Sequence, residues 1–183
     1  MYTSSGKLKA TRRARPNHKG EIRGSLKLAT SQHIGLPRLP QVLRHFSRAY
    51  PQVRLDIHFL DSEIAYQEIM HGHAELGIVT LAPDTSYPLE SVCVWDDPLE
   101  FSASPEHPLA KENRHLSLAE IVPYPAIFPD THTFTHGIVL KLFEKAGLTP
   151  DITMSTNYLE TIRMMVSIGL AWSVLPRIML DEQ

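Results

Sequence analysis

The chain of 183 residues is long enough for one domain of ordinary size or for two small lobes with cores of their own. Hydrophobic residues at 43%, charged residues at 21% and a formal net charge of -2 indicate a globular protein and disfavour DNA binding by this segment alone. One cysteine, Cys93, excludes an intrachain disulfide and fits a cytoplasmic location, and no apolar run approaches the roughly 20 residues of a membrane helix.

Residues 1–21 form a basic segment with few large apolar side chains. Such a segment cannot join a hydrophobic core, so a disordered tail or the remnant of a linker is predicted. Contact with nucleic acid is the alternative interpretation of the same charges. The basic residues are Lys7, Lys9, Arg12, Arg13, Arg15 and Lys19.

Residues 24–50 predict a strand that runs directly into a helix. Leu26 and Leu28 alternate with polar residues, and apolar residues recur at helical spacing from Leu36. The junction between strand and helix carries short polar side chains, and the positive end of a helix suits an anion or a polar ligand. Helix capping by Ser31 or Thr30 is the alternative interpretation.

The next segments alternate between strand and helix. Residues 53–59 read as a half-buried strand, a helix follows from about Ser62, and residues 74–80 form the short apolar run of a parallel strand covered on both faces. This succession predicts a βαβ arrangement with Thr80 at the same sheet edge as Ser31. In an open α/β sheet that edge is where ligands bind.

The pattern changes after residue 80. Residues 89–95 and 99–104 read as extended segments suited to a crossing between two lobes, and a second α/β unit follows. In this unit Asn157 is predicted as an N-cap in a capping box with Glu160. The predicted elements are strand 125–128, helix 134–146, strand 151–155, a helix from 157 to 169 and a buried strand over 170–176.

In their order and spacing, these segments resemble the effector-binding domain of LysR-type transcriptional regulators. The matching pieces are GSLKLATS with its following helix, YPQVRLDI, AELGIV, HPLA and ETIRMMVSIGLAWSVLP, over about residues 22–178. The resemblance implies an α/β fold of the type 2 periplasmic-binding-protein kind, with two α/β lobes and an effector cleft between them. It divides the chain into a tail at 1–21, lobe I at 22–96, lobe II at 97–176 and a return segment toward lobe I at 177–183.

The resemblance also implies a function. A small polar or anionic metabolite would bind in the cleft and control transcription through a DNA-binding helix-turn-helix domain, which we expect to be absent from this chain. The chain is also expected to stop short of the strand and helix that close lobe I. An exposed sheet edge would then favour a dimer, another homo-oligomer or aggregates.

The resemblance places effector contacts after the first strand, after the third strand and on a loop of the second lobe. Hydroxyl groups can donate or accept hydrogen bonds, which suits a carboxylate, a sulfate or a hydroxylated ligand. A structural capping role stays open for each, and Arg38 and Arg44 are interpreted as solvated helix surface. The candidate residues are Ser31, Gln32, His33, Thr80, Thr131 and Thr133.

Two pairs of histidines suggest metal-ligand chemistry. His132 and His136 are four residues apart near Asp130, and His71 and His73 flank a glycine. Neither pair has a third well-spaced ligand, so neither a metal nor a cofactor is predicted.

A hydrolytic enzyme and a free-standing solute-binding protein of the same fold are the alternative functions. The sequence contains no G-x-S-x-G, Gly-rich phosphate loop or H-E-x-x-H motif, and Cys93 is predicted inside an apolar strand, where a thiol is inert. Ser31 and His33 are poorly spaced for a nucleophile and its base. A solute-binding protein would need an export signal that this N-terminus lacks, so a non-enzymatic regulator domain is predicted.

Overall fold

The computed structural model describes residues 22–83, 87–112 and 114–180. The chain divides into two compact units, the first ending at Trp95 and the second beginning at Asp96. The tail predicted over residues 1–21 lies outside the described residues. Within the described parts of the chain, no helix combines the length and apolar character needed to cross a bilayer.

The first unit is a parallel sheet with helices between its strands. Its elements are β1 Gly24–Thr30, α1 Gln32–Ala49, β2 Val53–Phe59, α2 Ser62–Met70 and β3 Leu76–Ile78. β1 lies between β2 and β3, pairing with β2 along its whole length and with β3 at its carboxyl end. The predicted βαβ succession is therefore confirmed.

Small residues allow the helices to approach this sheet closely. Ala29 and Ala65 are fully buried and form a core cluster with Ala74. Gly35 of α1 lies against β1, because a Cβ atom there would stand 2.8 Å from Thr30 Cγ2. The start of α1 is thus held directly against the end of β1.

The prediction that the third strand is covered on both faces is wrong. β3 spans three residues, and Leu76 is 44% exposed. On the opposite face a Cβ atom at Gly77 would lie 2.5 Å from Ile69 Cδ1. α2 therefore covers one face of β3 and leaves the other open.

The segment from 89 to 95 forms no strand. Val92, Cys93 and Val94 are exposed, and Cys93 Sγ donates to Trp95 O at 3.4 Å. The prediction that Cys93 lies inside an apolar strand is wrong, because no neighbouring strand in the described part of the chain pairs with this segment and covers its side chains.

The second unit contains short sheets and helices in the predicted order. Its elements are β4 Leu99–Ser102, α3 Pro108–Lys111, α4 Leu118–Ile121, β5 Ala126–Phe128, α5 Phe134–Lys145, β6 Ile152–Ser155, α6 Leu159–Ser167, β7 Ser173–Pro176 and a 3₁₀ helix Arg177–Met179. β5 and β6 are parallel, and β4 and β7 are antiparallel. The predicted strands and long helices of this unit are confirmed within one to three residues at most ends.

The first and last strands of this unit, β4 and β7, pair with each other. Leu99 pairs with Pro176, and Arg177 N–H donates to Pro98 O at 2.8 Å. The guanidinium of Arg177 also forms an ion pair with Glu100. Pro98 and Arg177 therefore lie side by side at one end of the ribbon that β4 and β7 form.

Trp172 lies at the centre of the second core and is 1% exposed. Its ring packs on Phe128 and Phe143 at centroid distances of 5.6 and 5.7 Å. The indole N–H donates to Tyr124 O at 2.9 Å. Burial of the ring is thus combined with a satisfied polar group, as a buried tryptophan requires.

The capping box predicted at Asn157 and Glu160 is wrong. The N-cap of α6 is Tyr158, which makes no side-chain capping bond, and Glu160 instead accepts from Arg163 Nε at 3.1 Å. Glu160 pairs with Arg163, one turn along the helix, because the guanidinium offers the carboxylate a charged donor.

A capping box does form at α4, where the spacing of Ser117 and Glu120 also fits the motif. The Glu120 carboxylate accepts from Arg114 Nη2 at 2.6 Å and from Ser117 N–H at 2.9 Å. The hydrogen bond from Arg114, followed by that from Ser117, lowers the pKa of Glu120 to about 2. Sequence inspection missed this start of a helix although its signature was present.

His107 begins the short helix α3 within the HPLA motif. Its Nδ1 accepts from Leu109 N–H at 3.2 Å, and its ring packs edge-on against Tyr124. The side chain is buried, and desolvation lowers the pKa of His107 below 6.5. The cap requires a neutral ring, because a protonated Nδ1 cannot accept.

Leu175→Ala is expected to lower the free energy of unfolding by about 2–5 kcal/mol, because Leu175 is fully buried in the core of the second unit. Leu170→Ala is the matched control, since Leu170 is 49% exposed and should cost less than about 1 kcal/mol. Urea unfolding followed by circular dichroism measures both. Equal losses in the two variants would contradict the packing described for this unit.

His107 should also make the stability depend on pH. Because its pKa is lower in the folded protein than in the unfolded chain, its stabilisation is complete above about pH 6.5 and is lost as the pH falls through the lowered pKa. His107→Asn keeps a capping acceptor but does not titrate, so it should reduce the stability lost between about pH 7.5 and pH 5.5.

Urea unfolding at the two pH values tests this expectation. His115→Asn, at an exposed position in the same unit, is the control and should leave the dependence unchanged. If His107→Asn loses as much stability on acidification as the parent chain, His107 is not the group responsible.

Candidate functional site

The ends of β1 and β3 are joined by a buried threonine. Thr30 is fully buried, and its Oγ1 donates to Ile78 O at 2.7 Å. Its own carbonyl accepts from Leu60 N–H at 2.9 Å, just after β2. The carboxyl ends of the three strands are therefore tied at one edge of the sheet, where the sequence predicts ligand binding.

Ser31 follows at this edge as the N-cap of α1. Its carbonyl accepts from Gly35 N–H at 2.7 Å, but its side chain makes no capping bond. Ser31 is 4% exposed, and its Oγ has no hydrogen-bond partner in the part of the chain that the structure describes. The interpretation of this hydroxyl as a helix cap is therefore wrong.

His33 and Thr80 meet at the same edge. The distance between His33 Nε2 and Thr80 Oγ1 is 3.3 Å, and both side chains are half-buried. Gln32, between Ser31 and His33, is exposed. The structure thus brings together residues that are 47 positions apart in the chain, and it leaves Gln32 at the surface.

Two residues of α2 that the sequence analysis missed support the segment after β3. Ser62 Oγ accepts from Thr80 N–H at 3.1 Å, and Tyr66 Oη accepts from Ala82 N–H at 3.1 Å. Ser62 and Tyr66 are both 6% exposed. A serine at a helix start and a tyrosine on an apolar face are normally interpreted as cap and core, so no specific signal in the sequence predicts this contact.

The electrostatics of α1 favour a negative or polar ligand at its start. This helix has 18 residues and no acidic residue in its first turn, so its positive end is not neutralised by its own side chains. Arg38, two turns along, is half-buried with its guanidinium 5.3 Å from the centre of the Trp95 ring. The interpretation of Arg38 as solvated surface is wrong, whereas Arg44 is exposed.

The two candidate threonines of the second unit differ from Ser31. Thr133 caps α5, accepting from His136 N–H at 3.2 Å while its hydroxyl donates to Asp130 O at 2.7 Å. Thr131 is exposed on the preceding turn. The Thr133 hydroxyl is thus engaged in local structure.

The histidine pairs have other contacts. His136 is buried with Nδ1 2.8 Å from Pro129 O, and the rings of His71 and His73 lie 5.8 Å apart. His73 Nδ1 is 3.3 Å from the Glu68 carboxylate. Over residues 22–83, 87–112 and 114–180, no three His, Cys, Asp or Glu side chains gather as metal ligands.

Residues 19–183 match the family model described as the LysR substrate binding domain. The chain belongs to this family. It is 33% identical over 165 residues to the HTH-type transcriptional regulator CysB of Haemophilus influenzae, covering 88% of the present chain and 48% of that regulator. The chain spans about half the length of the curated relatives that it matches.

Solved structures confirm the type 2 periplasmic-binding-protein-like fold. The regulatory domain of Synechocystis PCC6803 CcmR, in complex with 2-PG, has a TM-score of 0.78 at 22% identity, covering 88% of this chain and 76% of that one. The effector binding domain of QuiR, in complex with shikimate, has a TM-score of 0.75 at 17% identity, covering 84% and 74%. The predicted family and fold class are therefore confirmed.

Ser31→Ala and Thr133→Ala are expected to affect the stability of the ligand-free protein differently. Thr133→Ala removes a capping bond and should lower the free energy of unfolding by about 1 kcal/mol. Ser31→Ala removes a buried hydroxyl that has no hydrogen bond in the described structure, so it should leave stability unchanged or raise it. Thermal and urea unfolding measure both, and a loss of about 1 kcal/mol for Ser31→Ala would restore the capping interpretation.

Proposed function

We propose that this chain is the effector-sensing part of a LysR-type transcriptional regulator and that a small anionic or polar metabolite binds at the start of α1. Binding would control a helix-turn-helix domain, and with it DNA binding and transcription. Family membership supports this proposal, as do the regulator names of the relatives.

The unsatisfied hydroxyl of Ser31 is the observation on which the proposed site rests. A buried hydroxyl without a partner costs about 1–3 kcal/mol, and a ligand oxygen bound there would recover that cost. The hydroxyl lies at the positive end of a long helix, where a negative group is favoured. Both properties support a ligand with a carboxylate, sulfate or phosphate group.

His33 and Thr80 would supply the remaining contacts in the first unit. Their 3.3 Å contact presents an imidazole and a hydroxyl side by side, and either group can donate to an oxygen of the ligand. Shikimate, which the QuiR domain binds, is a hydroxylated carboxylic acid and so has the chemistry that such a set of donors would recognise.

The second-unit contacts and the cleft that the resemblance implies stay predictions. Thr131 is exposed, so it is the better candidate of the two threonines, and Thr133 would have to exchange its local bonds to reach a ligand. We also propose a cytoplasmic protein that forms homo-oligomers, as the predicted dimer implies.

A binding role is favoured over catalysis. His33 contacts Thr80 and leaves the Ser31 hydroxyl without a base in the described structure, so the nucleophile and base of a hydrolase are not paired there. The relatives are named as transcriptional regulators. We therefore propose that the site recognises its ligand and does not transform it.

A thermal-shift screen followed by titration calorimetry tests the site. The probes are shikimate, benzoate and inorganic sulfate, with benzamide as an uncharged control. An anion that binds the native state should raise the unfolding temperature in a concentration-dependent way. Ser31→Ala and Thr80→Ala should each weaken its binding by about 1 kcal/mol, or roughly fivefold, because each removes one hydrogen bond.

Ser167→Ala is the matched control. Ser167 is exposed at the end of α6, and its hydroxyl donates to Met164 O at 2.7 Å. Parent-like affinity in both Ser31→Ala and Thr80→Ala would remove the proposed site, and stabilisation by benzamide equal to that by benzoate would remove the preference for an anion.

A further inference from the structure

We infer that Ser62 and Tyr66 of α2 are positioning residues that fix Thr80 against His33. The inference deepens the proposed function, because it rests on Thr80 being a ligand contact. It concerns the segment just after β3, where the strand ladder ends at Ile78 and the chain leaves the sheet.

Two backbone N–H groups beyond β3 donate to side chains and not to a neighbouring strand. Thr80 N–H donates to Ser62 Oγ and Ala82 N–H donates to Tyr66 Oη, each at 3.1 Å. A strand would normally supply such acceptors from its backbone carbonyls. Here two side chains of a helix replace them.

The spacing of the two acceptors on α2 matches the spacing of the two backbone donors after β3. Ser62 and Tyr66 are four residues apart on one helix face, which corresponds to a rise of about 6 Å. Thr80 and Ala82 are two residues apart, which spans at most about 7 Å. Two acceptors on one helix therefore line up with two alternate N–H groups and hold the segment at two points.

Burial of Ser62 and Tyr66 restricts the movement of the two acceptor side chains. Ser62 and Tyr66 are each 6% exposed, and the Tyr66 ring packs on Tyr87 at a centroid distance of 4.4 Å. The aromatic contact and the burial restrict movement of the ring, and with it of the Tyr66 Oη that accepts from Ala82 N–H. A buried polar contact of this kind has few alternative geometries.

Thr80 connects this attachment to the proposed ligand site, because it contacts both Ser62 and His33. With its N–H bound to Ser62 and the chain held again at Ala82, the Thr80 backbone has little freedom to rotate, and its Oγ1 is kept 3.3 Å from His33 Nε2. Tyr66 does not belong to the proposed contact set. It acts through Ala82 and the backbone that connects Ala82 to Thr80.

Nuclear magnetic resonance on the ligand-free chain tests the inference without a known effector. In Tyr66→Phe, which keeps the ring and removes the hydroxyl, amide exchange at Ala82 should accelerate by about fivefold or more, and the cross-relaxation signal between Thr80 and His33 should weaken. Ser62→Ala should do the same at Thr80. Tyr158→Phe, at an exposed tyrosine of the second unit, is the matched control and should change neither signal.

The ligand arm uses shikimate, benzoate and sulfate as probes. If one binds, Tyr66→Phe should weaken it about threefold to tenfold while the exchange rates of core amides in β1 stay as in the parent. Unchanged exchange at Ala82 together with an unchanged Thr80–His33 signal would overturn the inference. If the exchange and cross-relaxation results appear but no probe binds, the attachment stands and the proposed function is the part that fails.

Discussion

The pairing of β1 with a parallel strand on each side is the constraint on which the first unit depends. Parallel strands place their carboxyl ends at one edge, and the register that sets Thr30 opposite Ile78 brings residues 31 and 80, which precede and follow α2 in the chain, to that edge. The side chain of Thr30 then bonds the neighbouring strand. A shift of one residue would turn this hydroxyl to the other face and separate the polar groups.

Close packing of α1 and α2 on the sheet holds the polar residues of the proposed site in place. Gly35 lets the first turn of α1 approach β1 so closely that a methyl group at this position would not fit. The small side chains of Ala29 and Ala65, both fully buried, likewise let α2 pack closely on the sheet. The polar residues are therefore carried by elements that cannot move far from one another. Such rigidity allows a hydroxyl like that of Ser31 to stay unsatisfied at the sheet edge, because the surroundings that bury it cannot rearrange to supply a partner.

Periodicity predicted most of the elements but little of the site's detail. The alternation at 53–59 and the apolar spacing in α1 follow from the faces that these segments bury, so both patterns predict the observed elements. The predicted burial of Cys93 is wrong because it depends on a strand partner that local sequence does not reveal. The predicted capping box at Asn157 is wrong although the competing donor, Arg163, lies only three residues beyond Glu160. The contact of Tyr66 with Ala82 spans 16 positions and follows from how α2 lies on the sheet.

The ribbon formed by β4 and β7 holds residues that are far apart in the chain next to each other. Since Pro98 and Arg177 are hydrogen-bonded to each other, the segment between them begins and ends at one point. A compact segment whose two ends meet is the kind that tolerates domain insertion and circular permutation. Because the backbone closes there by a hydrogen bond, residues 98 and 177 are a place where a new chain connection would distort β4 and β7 little.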